Sequence, residues 1–590
     1  MKGAGVEPQR NTLYYGDNLD ILRKEIRNQS IDLIYLDPPF NSKADYNILF
    51  REATGDESTA QIQAFSDFWH WDKAARDAYN YLTSNDVDEK IANLSTSLFQ
   101  LLGKNDLTAY LFIMAERLVE LHRVLKSSGS LYLHCDPTAS HYLKILLDSI
   151  FDPTNFRNEV IWRRTGAHGS RKGFGPIHDV LLFYTKTSSY FFKTVKRPYM
   201  KGHVQGRYTT DASGRQKFST GGNILTGSGA TGGQSGMAWR GFNPSAKNRH
   251  WAIPGFLTNQ MPPTFKTLGV LDKLEYLHNQ GLIEIKEGTE WPTPVRYLQE
   301  EDGRPLQDVW AYQPYTEGTV FGTKEGIDHD VSWLGPTDPE RLGYQTQKPV
   351  GLLERIIRSS CPDDGVVLDP FCGCGTTIIA AEKLSRLWIG IDITFLAINL
   401  VRQRLGDAFP SCEFQVVGEP RDLGAANELS KNRYQFQCWA LTLIGARPVG
   451  STLKEPETVR KGADEGVDGW LRFSDGPEGH IERVAVQVKS GHVSVKDIRE
   501  FRDVVSRQKA AIGIFLTLSE PTSEMVKEMN ATDPYVSPRY HKEYPKLQIL
   551  TIEGLFKGKR PEMPPAVSPF QEAPVMQKSD NLSQSRLLPY

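Results

Sequence analysis

Apolar residues in this chain come in two rhythms. Residues 31–36 (IDLIYL), 129–134 (GSLYLH), 180–186 (VLLFYTK), 366–368 (VVL) and 387–391 (LWIGI) are short, nearly continuous apolar runs. Runs of that length predict strands buried on both faces. Residues 107–125 instead carry apolar side chains at helical spacing, which predicts a helix with one face inward. Residues 19–27, 142–151 and 376–384 also read as helices, 13–18 as a short first strand, and 158–164 as a partner for 180–186. The aromatic run 64–71 (AFSDFWHW) reads as a packing element. Strands alternating with helices predict an α/β domain on a mostly parallel sheet.

The strand ends carry the candidate chemistry. Asp37-Pro38-Pro39-Phe40 follows the run 31–36. Two prolines cannot continue a ladder, so the chain leaves the sheet there in a stiff, extended form. In open α/β sheets ligands bind at that edge. The Asp37 carboxylate and the Pro38 carbonyl can accept the hydrogens of an exocyclic amine, and the Phe40 ring can stack on a base. On these four residues alone, a polar turn fits equally well. A second strand end, 366–377 (VVLDPFCGCGTT), carries Asp369, Phe371, Gly373 and Gly375 before a helix starting near Thr376. Glycines let backbone approach a ligand, and a helix start offers free N–H groups. Asp392 ends the following strand, where an acid can bind ribose hydroxyls. His134-Cys135-Asp136 lies at another strand end, and a structural role is expected for it.

With those residues in order, the chain resembles the β group of DNA amino-methyltransferases. The catalytic DPPF comes first and the FxGxGT-like motif last. Residues 303–310 and 341–353 (RLGYQTQKPVGLL) agree, and the likeness covers most of 11–405. The resemblance implies a Rossmann-like fold, S-adenosylmethionine as methyl donor, and double-stranded DNA as partner. It implies that Asp17 touches the adenine ring of the donor, although Asp17 also fits as a helix cap. It implies that the Lys348 segment closes over the methionine end. Asp rather than Ser at the head of the tetrapeptide resembles adenine-N6 enzymes more than cytosine-N4 ones, which stay as the alternative.

Charge distribution sharpens the partner. The chain has 590 residues, 39% hydrophobic and 24% charged, with net charge −2. Residues 155–250 hold 16 Lys and Arg against 3 Asp and Glu, a surplus of 13, so the rest carries −15. A basic segment in an acidic chain is the footprint of phosphate contact. Arg163, Arg164, Arg171, Lys172, Arg240 and Arg249 are the DNA-binding candidates. Eight glycines between Gly221 and Gly241, and the Arg, Asn and Trp of 239–251 (WRGFNPSAKNRHW), mark 191–300 as a target-recognition region that can bond base edges. No apolar run approaches a membrane span, and no signal peptide is expected at the first residues. Six scattered cysteines fit a reducing cytoplasm; Cys372 and Cys374 read as small residues of the cofactor loop.

After residue 410 the character changes. Asp468 precedes a strand at 470–473, and Gln487 and Lys489 end a second strand at 484–489. A helix (495–505) and a strand (511–518) follow. An acid for a divalent cation beside a lysine can activate water for phosphodiester cleavage. This set resembles the Mrr-like branch of the PD-(D/E)xK restriction nucleases. Asp468 is then the metal candidate for Mg²⁺. The preceding helix offers Gln435 and Gln437 where the family has a glutamate, so a DNA-binding module without cleavage is the competing reading.

The expected organisation is a catalytic half at 11–190, target recognition at 191–300, a cofactor half at 301–410, a small α/β nuclease-like domain at 411–556 and a disordered tail from 557. The expected activity is site-specific transfer of a methyl group to adenine N6 in a restriction-modification or defence setting. A Mg²⁺-dependent nuclease or DNA sensor is the alternative. A homodimer and a restriction or helicase partner are both compatible with the chain.

Overall fold

The computed structural model describes residues 11–39, 70–166, 172–219, 225–259, 261–299, 301–342, 344, 346–449, 466–475 and 480–565. Phe40, Arg171, most of the aromatic run 64–71 and the tail from 566 lie outside the described residues. The chain divides into two compact units. One is Met1–Lys193, Asp308–Ala311 and Asp330–Tyr590, and the other is Thr194–Gln307 and Tyr312–His329.

The first unit is built on a nine-stranded sheet. Its strands are β1 (Asn11–Tyr15), β2 (Ile31–Leu36), β3 (Leu125–Cys135), β4 (Phe156–Arg163), β5 (His178–Thr185), β6 (Val309–Trp310), β7 (Val366–Asp369), β8 (Leu387–Asp392) and β9 (Phe414–Val417). In space they run β6-β4-β5-β3-β2-β7-β8-β1-β9. Only β5 is antiparallel to its neighbours. The chain leaves β2 toward β3 on one side and β7 toward β8 on the other. Strand order therefore reverses between β2 and β7, which opens a crevice at their carboxyl ends. Asp37 and Asp369 stand at that crevice.

Burial explains the strands. All six residues of β2 and all four of β7 are buried. Helices cover both faces. On one lies α1 (Asn18–Lys24) and, after two further helices, α4 (Asp106–Val124), with Leu111, Phe112, Leu118 and Leu121 fully buried. On the other lie α6 (Val350–Ser360), α7 (Thr376–Lys383) and α8 (Phe395–Ala408), which contribute Leu352, Ile356, Ile378, Ile398 and Val401. Asp32 is a buried acid inside β2. Its carboxylate accepts from the backbone N–H of Val366 at 2.9 Å and from Lys126 Nζ at 2.7 Å, tying β2 to the strands on either side.

A five-stranded sheet follows in the same unit: β10 (Arg447–Pro448), β11 (Gly469–Ser474), β12 (Ile481–Lys489), β13 (Ile512–Thr517) and β14 (Leu547–Thr551). Helices α10 (Arg433–Leu443) and α11 (Val495–Arg507) cover its faces. Residues 557–565, which the sequence reads as the start of the tail, are held against this sheet. Glu562 exchanges backbone bonds with the Gln548 side chain, and Met563 packs on the core.

The second unit has its own core around Leu225, Trp239, Trp251, Phe265, Leu274 and Trp291. Its largest sheet is antiparallel, ordered Ile283–Glu284, Thr293–Tyr297, Gln216–Ser219 and Thr209–Thr210. The sequence reads Trp239 and Trp251 as candidates for base contact. Both are buried, edge-on to one another, with their indole N–H groups spent on Glu275 and on the Met237 carbonyl. A unit this small needs its large aromatics for a core. No described helix is long and apolar enough to cross a membrane.

Asp32→Ala leaves the Val366 N–H buried without an acceptor. The expected loss is about 1–3 kcal/mol of stability, read as a lower urea midpoint for the unit. An unchanged midpoint would show that Asp32 does not tie β7 to β2.

Candidate functional site

Three carboxylates converge at the crevice. Asp37 leaves β2 in the extended form its prolines enforce. Its Oδ2 is bonded by Lys348 Nζ, which also donates to the Thr346 carbonyl at 3.2 Å. Its Oδ1 is buried and has no hydrogen-bond partner among the described residues. Asp369, last residue of β7, accepts from the Phe371 N–H at 3.0 Å and from Thr377 Oγ1 at 2.5 Å. Asp392, last residue of β8, accepts from the Gly373 N–H at 3.0 Å and from the Thr394 N–H and hydroxyl at 2.9 and 2.8 Å.

Burial dominates the electrostatics. It pushes the Asp369 carboxyl up to about 7, with the charges of Asp37 and Asp392 adding to it against the bonds from Thr377 and Phe371. Burial also raises Asp392, against its hydrogen bonds. Tyr344 stays a phenol because burial, then Asp392, lifts it far above its usual range. Three acids with one bonded lysine make an edge that favours a cationic ligand.

The glycine turn is shaped for close approach. Gly373 has φ +47°, and a Cβ there would lie 3.3 Å from the Tyr344 ring. Gly375, at φ +78°, caps α7, and a Cβ there would meet Val401 at 2.6 Å. Cys372 and Cys374 are buried free thiols in this turn. Thr376 opens α7, its hydroxyl 3.4 Å from Arg404 Nη1. Phe371 packs on the core beneath.

Asp17 is the N-cap of α1. It accepts from Leu19 N at 2.8 Å and pairs with Arg117 at 3.0 Å. Its neighbour Asn18 donates to the Pro370 carbonyl at 2.8 Å, joining the β1 and β7 ends. Sequence reasoning did not single out Asn18 or Arg117. Lys348, a candidate for the donor site, is bonded to Asp37. Pro38 is buried and Pro39 exposed.

The basic candidates divide between the units. In the first, Arg163 donates to the Thr165 carbonyl and lies over the Trp333 ring, Arg164 pairs with Asp179, and Lys172 is exposed. In the second, Arg240 pairs with Glu275 at 2.5 Å, and Arg249 is bonded to Thr226.

In the C-terminal sheet, Gly469 pairs with Val486, so Asp468 falls level with Gln487 and on the same face as Lys489. Asp468 Oδ2 accepts from the Val488 N–H at 2.6 Å, and Oδ1 from Gln437 Nε2 at 2.7 Å. Gln437 thus stands where an acid would face Asp468. Gln435, two residues before it on α10, accepts from the N–H of Phe395 at the start of α8. Among the described residues, no group of three His, Cys, Asp or Glu side chains could hold a metal ion.

This acid-lined switch point, with an aspartate on a double-proline turn and a glycine turn opposite, defines a class of α/β group-transfer site. Residues 31–401 match the DNA methylase family model, and the chain belongs to that family. Residues 435–536 match the restriction endonuclease model. Type II methyltransferase M.EcaI of Enterobacter cloacae is 29% identical over 299 residues, covering 50% of this chain and 57% of that protein. The StyLTI Mod subunit of a Type III restriction-modification enzyme of Salmonella typhimurium is 26% identical over 385 residues, covering 64% and 50%. The chain spans about half the length of these curated relatives. Among solved structures, the PvuII cytosine-N4-specific DNA methyltransferase aligns over 68% of this chain and 88% of its own, with 14% identity and TM-score 0.28.

Proposed function

We propose that the chain transfers a methyl group from S-adenosylmethionine to the N6 amine of adenine in double-stranded DNA, at a specific site. The observation that carries this is Asp37 Oδ1, a buried acceptor without a partner among the described residues, at the mouth of the crevice. S-adenosylmethionine supplies an electrophilic methyl group on a cationic sulfur. The acids at the strand ends suit that cation. Asp17, Lys348, Asp369, Phe371, Gly373, Gly375, Thr376 and Asp392 would line its site.

Asp37 does the positioning. A base amine is a weak nucleophile because its lone pair is delocalised into the ring. Accepting one amine hydrogen at Oδ1, and a second at the Pro38 carbonyl, aims the lone pair at the methyl group. The base must leave the duplex stack to reach this depth, at a cost of a few kcal/mol, which stacking on Phe40 would offset. As the N–CH3 bond formed and the S–CH3 bond broke, positive charge would develop on the amine beside the Asp37 carboxylate, which stabilises it; S-adenosylhomocysteine would leave, and the extra amine proton would pass to water. Adenine is favoured over cytosine by the resemblance of the DPPF tetrapeptide.

Residues 11–190 and 301–410 would form the two halves of this module, 191–300 the target-recognition region and 411–556 the nuclease-like module. Arg163, Arg164, Arg171, Lys172, Arg240 and Arg249 are the proposed backbone contacts. A restriction partner fits a chain whose relatives include Mod subunits.

A second reading concerns the C-terminal module. The register that sets Asp468, Gln487 and Lys489 on one face favours Mg²⁺-dependent cleavage of DNA. One carboxylate and the carbonyl oxygens of Gln437 and Gln487 are hard donors of the kind Mg²⁺ takes while keeping waters. Lys489 would sit near the attacked phosphate.

Nucleoside mass spectrometry of unmethylated DNA incubated with the protein and S-adenosylmethionine should show N6-methyladenine. Asp37→Ala should lower transfer by at least about 10³-fold and leave binding of the donor intact. Transfer retained in Asp37→Ala would remove the assignment, and N4-methylcytosine would overturn the base. With Mg²⁺ the protein should nick DNA, and Lys489→Ala should not. Intact DNA with the unaltered protein would leave the C-terminal module a binding domain.

The raised Asp369 gives a pH signature. An acid with its folded value near 7 binds a proton in the folded state that the unfolded chain releases near 4. Its contribution to stability is therefore present at low pH and lost as pH climbs to about 7. A cation instead prefers the ionised carboxylate. Affinity for S-adenosylmethionine relative to uncharged S-adenosylhomocysteine should then rise from about pH 6 to about pH 8, by up to about tenfold per unit below the midpoint. Asp369→Asn should flatten the ratio, measured by calorimetric titration of both ligands. Parallel slopes for the two would exclude Asp369 as the sensor.

A further inference from the structure

The connection between β4 and β5 carries a side chain that neither the core nor the acid cluster uses. β2, β3 and β4 run the same way, with β5 between β3 and β4 in the opposite sense. All three therefore end at the edge where Asp37 stands. Register sets the heights. Leu36 is level with Leu133, Leu133 with Leu182, and Leu182 with Glu159. Arg163, the last residue of β4, is thus three residues beyond the level of Asp37, or about 10 Å. Sideways it is three strand spacings from β2, about 14 Å. The β4–β5 hairpin is a wall beside the crevice, and its rim stands above Asp37.

The stem of that wall is fixed. The Arg164 N–H donates to the Ile177 carbonyl at 3.0 Å, one step past the last ladder pair, Arg163 with His178. The Arg163 guanidinium lies over the Trp333 ring, and the Trp162 indole donates to the Val331 carbonyl at 2.9 Å. Beyond the stem, Phe174 is 103% exposed, the highest value of any large apolar side chain among the described residues. Gly173 and Gly175 flank it, so no neighbouring side chain crowds the ring, and Pro176 stiffens the return to β5.

Single exposed apolar residues are ordinary. Place and charge set this one apart. From Val160 to His178 the sequence holds Arg163, Arg164, Arg171 and Lys172 and no Asp or Glu. A whole aromatic ring offered to solvent in a cationic stretch suits a polyanion with flat apolar faces. Stacked bases are such faces, and apolar side chains that enter a base step part it.

We infer that Phe174 is a wedge: it enters the base stack of the DNA as the target base leaves, fills the gap and holds the duplex open above Asp37. It rests on the reading that the target base swings out to Asp37. Unstacking that base is costly, and a ring stacked in its place recovers part of the cost. Lys172, exposed two residues before the ring, is placed to take a flanking phosphate and so anchor the wedge.

The test uses the full chain and a duplex carrying the site located by sequencing, with 2-aminopurine in place of the target adenine. That base fluoresces when it leaves the stack, so the unaltered protein should raise the signal. Phe174→Ala should lose most of the rise. On the ordinary duplex its kcat/KM for DNA should fall by about 10- to 100-fold, with the calorimetric Kd for S-adenosylmethionine unchanged. Phe174→Trp, which can still stack, should keep most of the rate. A mismatch opposite the target adenine lets the base leave cheaply, and on that duplex the deficit of Phe174→Ala should shrink to about threefold or less. Phe174 is fully exposed, so these substitutions leave the fold intact. A fluorescence rise and rate in Phe174→Ala equal to those of the unaltered protein overturn the inference. So does a deficit of the same size on matched and mismatched duplexes, which would make Phe174 a general contact. No fluorescence rise with the unaltered protein would instead remove the reading that the base leaves the stack, whatever the Phe174 variants do.

Discussion

Like charges crowded at one edge of a buried sheet are the constraint on which the site depends. Asp37, Asp369 and Asp392 end three consecutive strands in space. At strand spacing, and with the effective dielectric of a partly buried site, two such charges repel by about 3 kcal/mol. The fold answers in two ways. Backbone and hydroxyl donors from Phe371, Thr377, Gly373 and Thr394 hold Asp369 and Asp392. Lys348 holds Asp37. What is left over is a preference for one more positive charge and one unused acceptor, which a cationic methyl donor and an amine would satisfy together.

That arrangement needs distant parts of the chain. Lys348 and Asp37 are 311 residues apart. They meet because β7 is inserted beside β2, and α6, which follows Lys348, packs on the same sheet with Leu352, Leu353, Ile356 and Ile357 fully buried. Asp32 makes the same join from inside the sheet by accepting the first N–H of β7. The reversal of strand order is therefore both the fold's main seam and the place where its charges are balanced.

Elements set by local pattern were legible in the sequence. β2, β7 and β8 are short apolar runs, and each ends in the aspartate that marks the sheet edge. The helix read at 107–125 is α4, Asp106–Val124, with β3 starting at once from Leu125. Pairing was not legible, since nothing near Lys348 announces Asp37. Residues 239–251 were ambiguous for a related reason. Trp and Arg interleaved in sequence describe a nucleic-acid surface and a small aromatic core alike. Burial separates them, and it puts Trp239 and Trp251 inside while Arg240 pairs with Glu275 at the surface.

Helix α10 shows how the two matched segments are joined. The first N–H groups of a helix have no partner within it. In α8 the first of these, at Phe395, is taken by the Gln435 side chain from α10, and Asn399 donates back to the Cys438 carbonyl. Phe395 also stacks on Tyr15 at 3.7 Å, directly beyond Asp392. Two residues along α10, Gln437 bonds Asp468. One helix thus completes the capping of the loop after Asp392 and supplies the side chain facing the C-terminal acid. Phe436, Cys438 and Trp439, between and after the two glutamines, are buried in a core shared with Phe395 and Leu400. Turning α10 to free Asp468 would strip the cap from Phe395 and open that core. At 437 the amide donates an N–H to Asp468, which a glutamate carboxylate could not do, while at 435 the side chain serves as an acceptor for the Phe395 N–H.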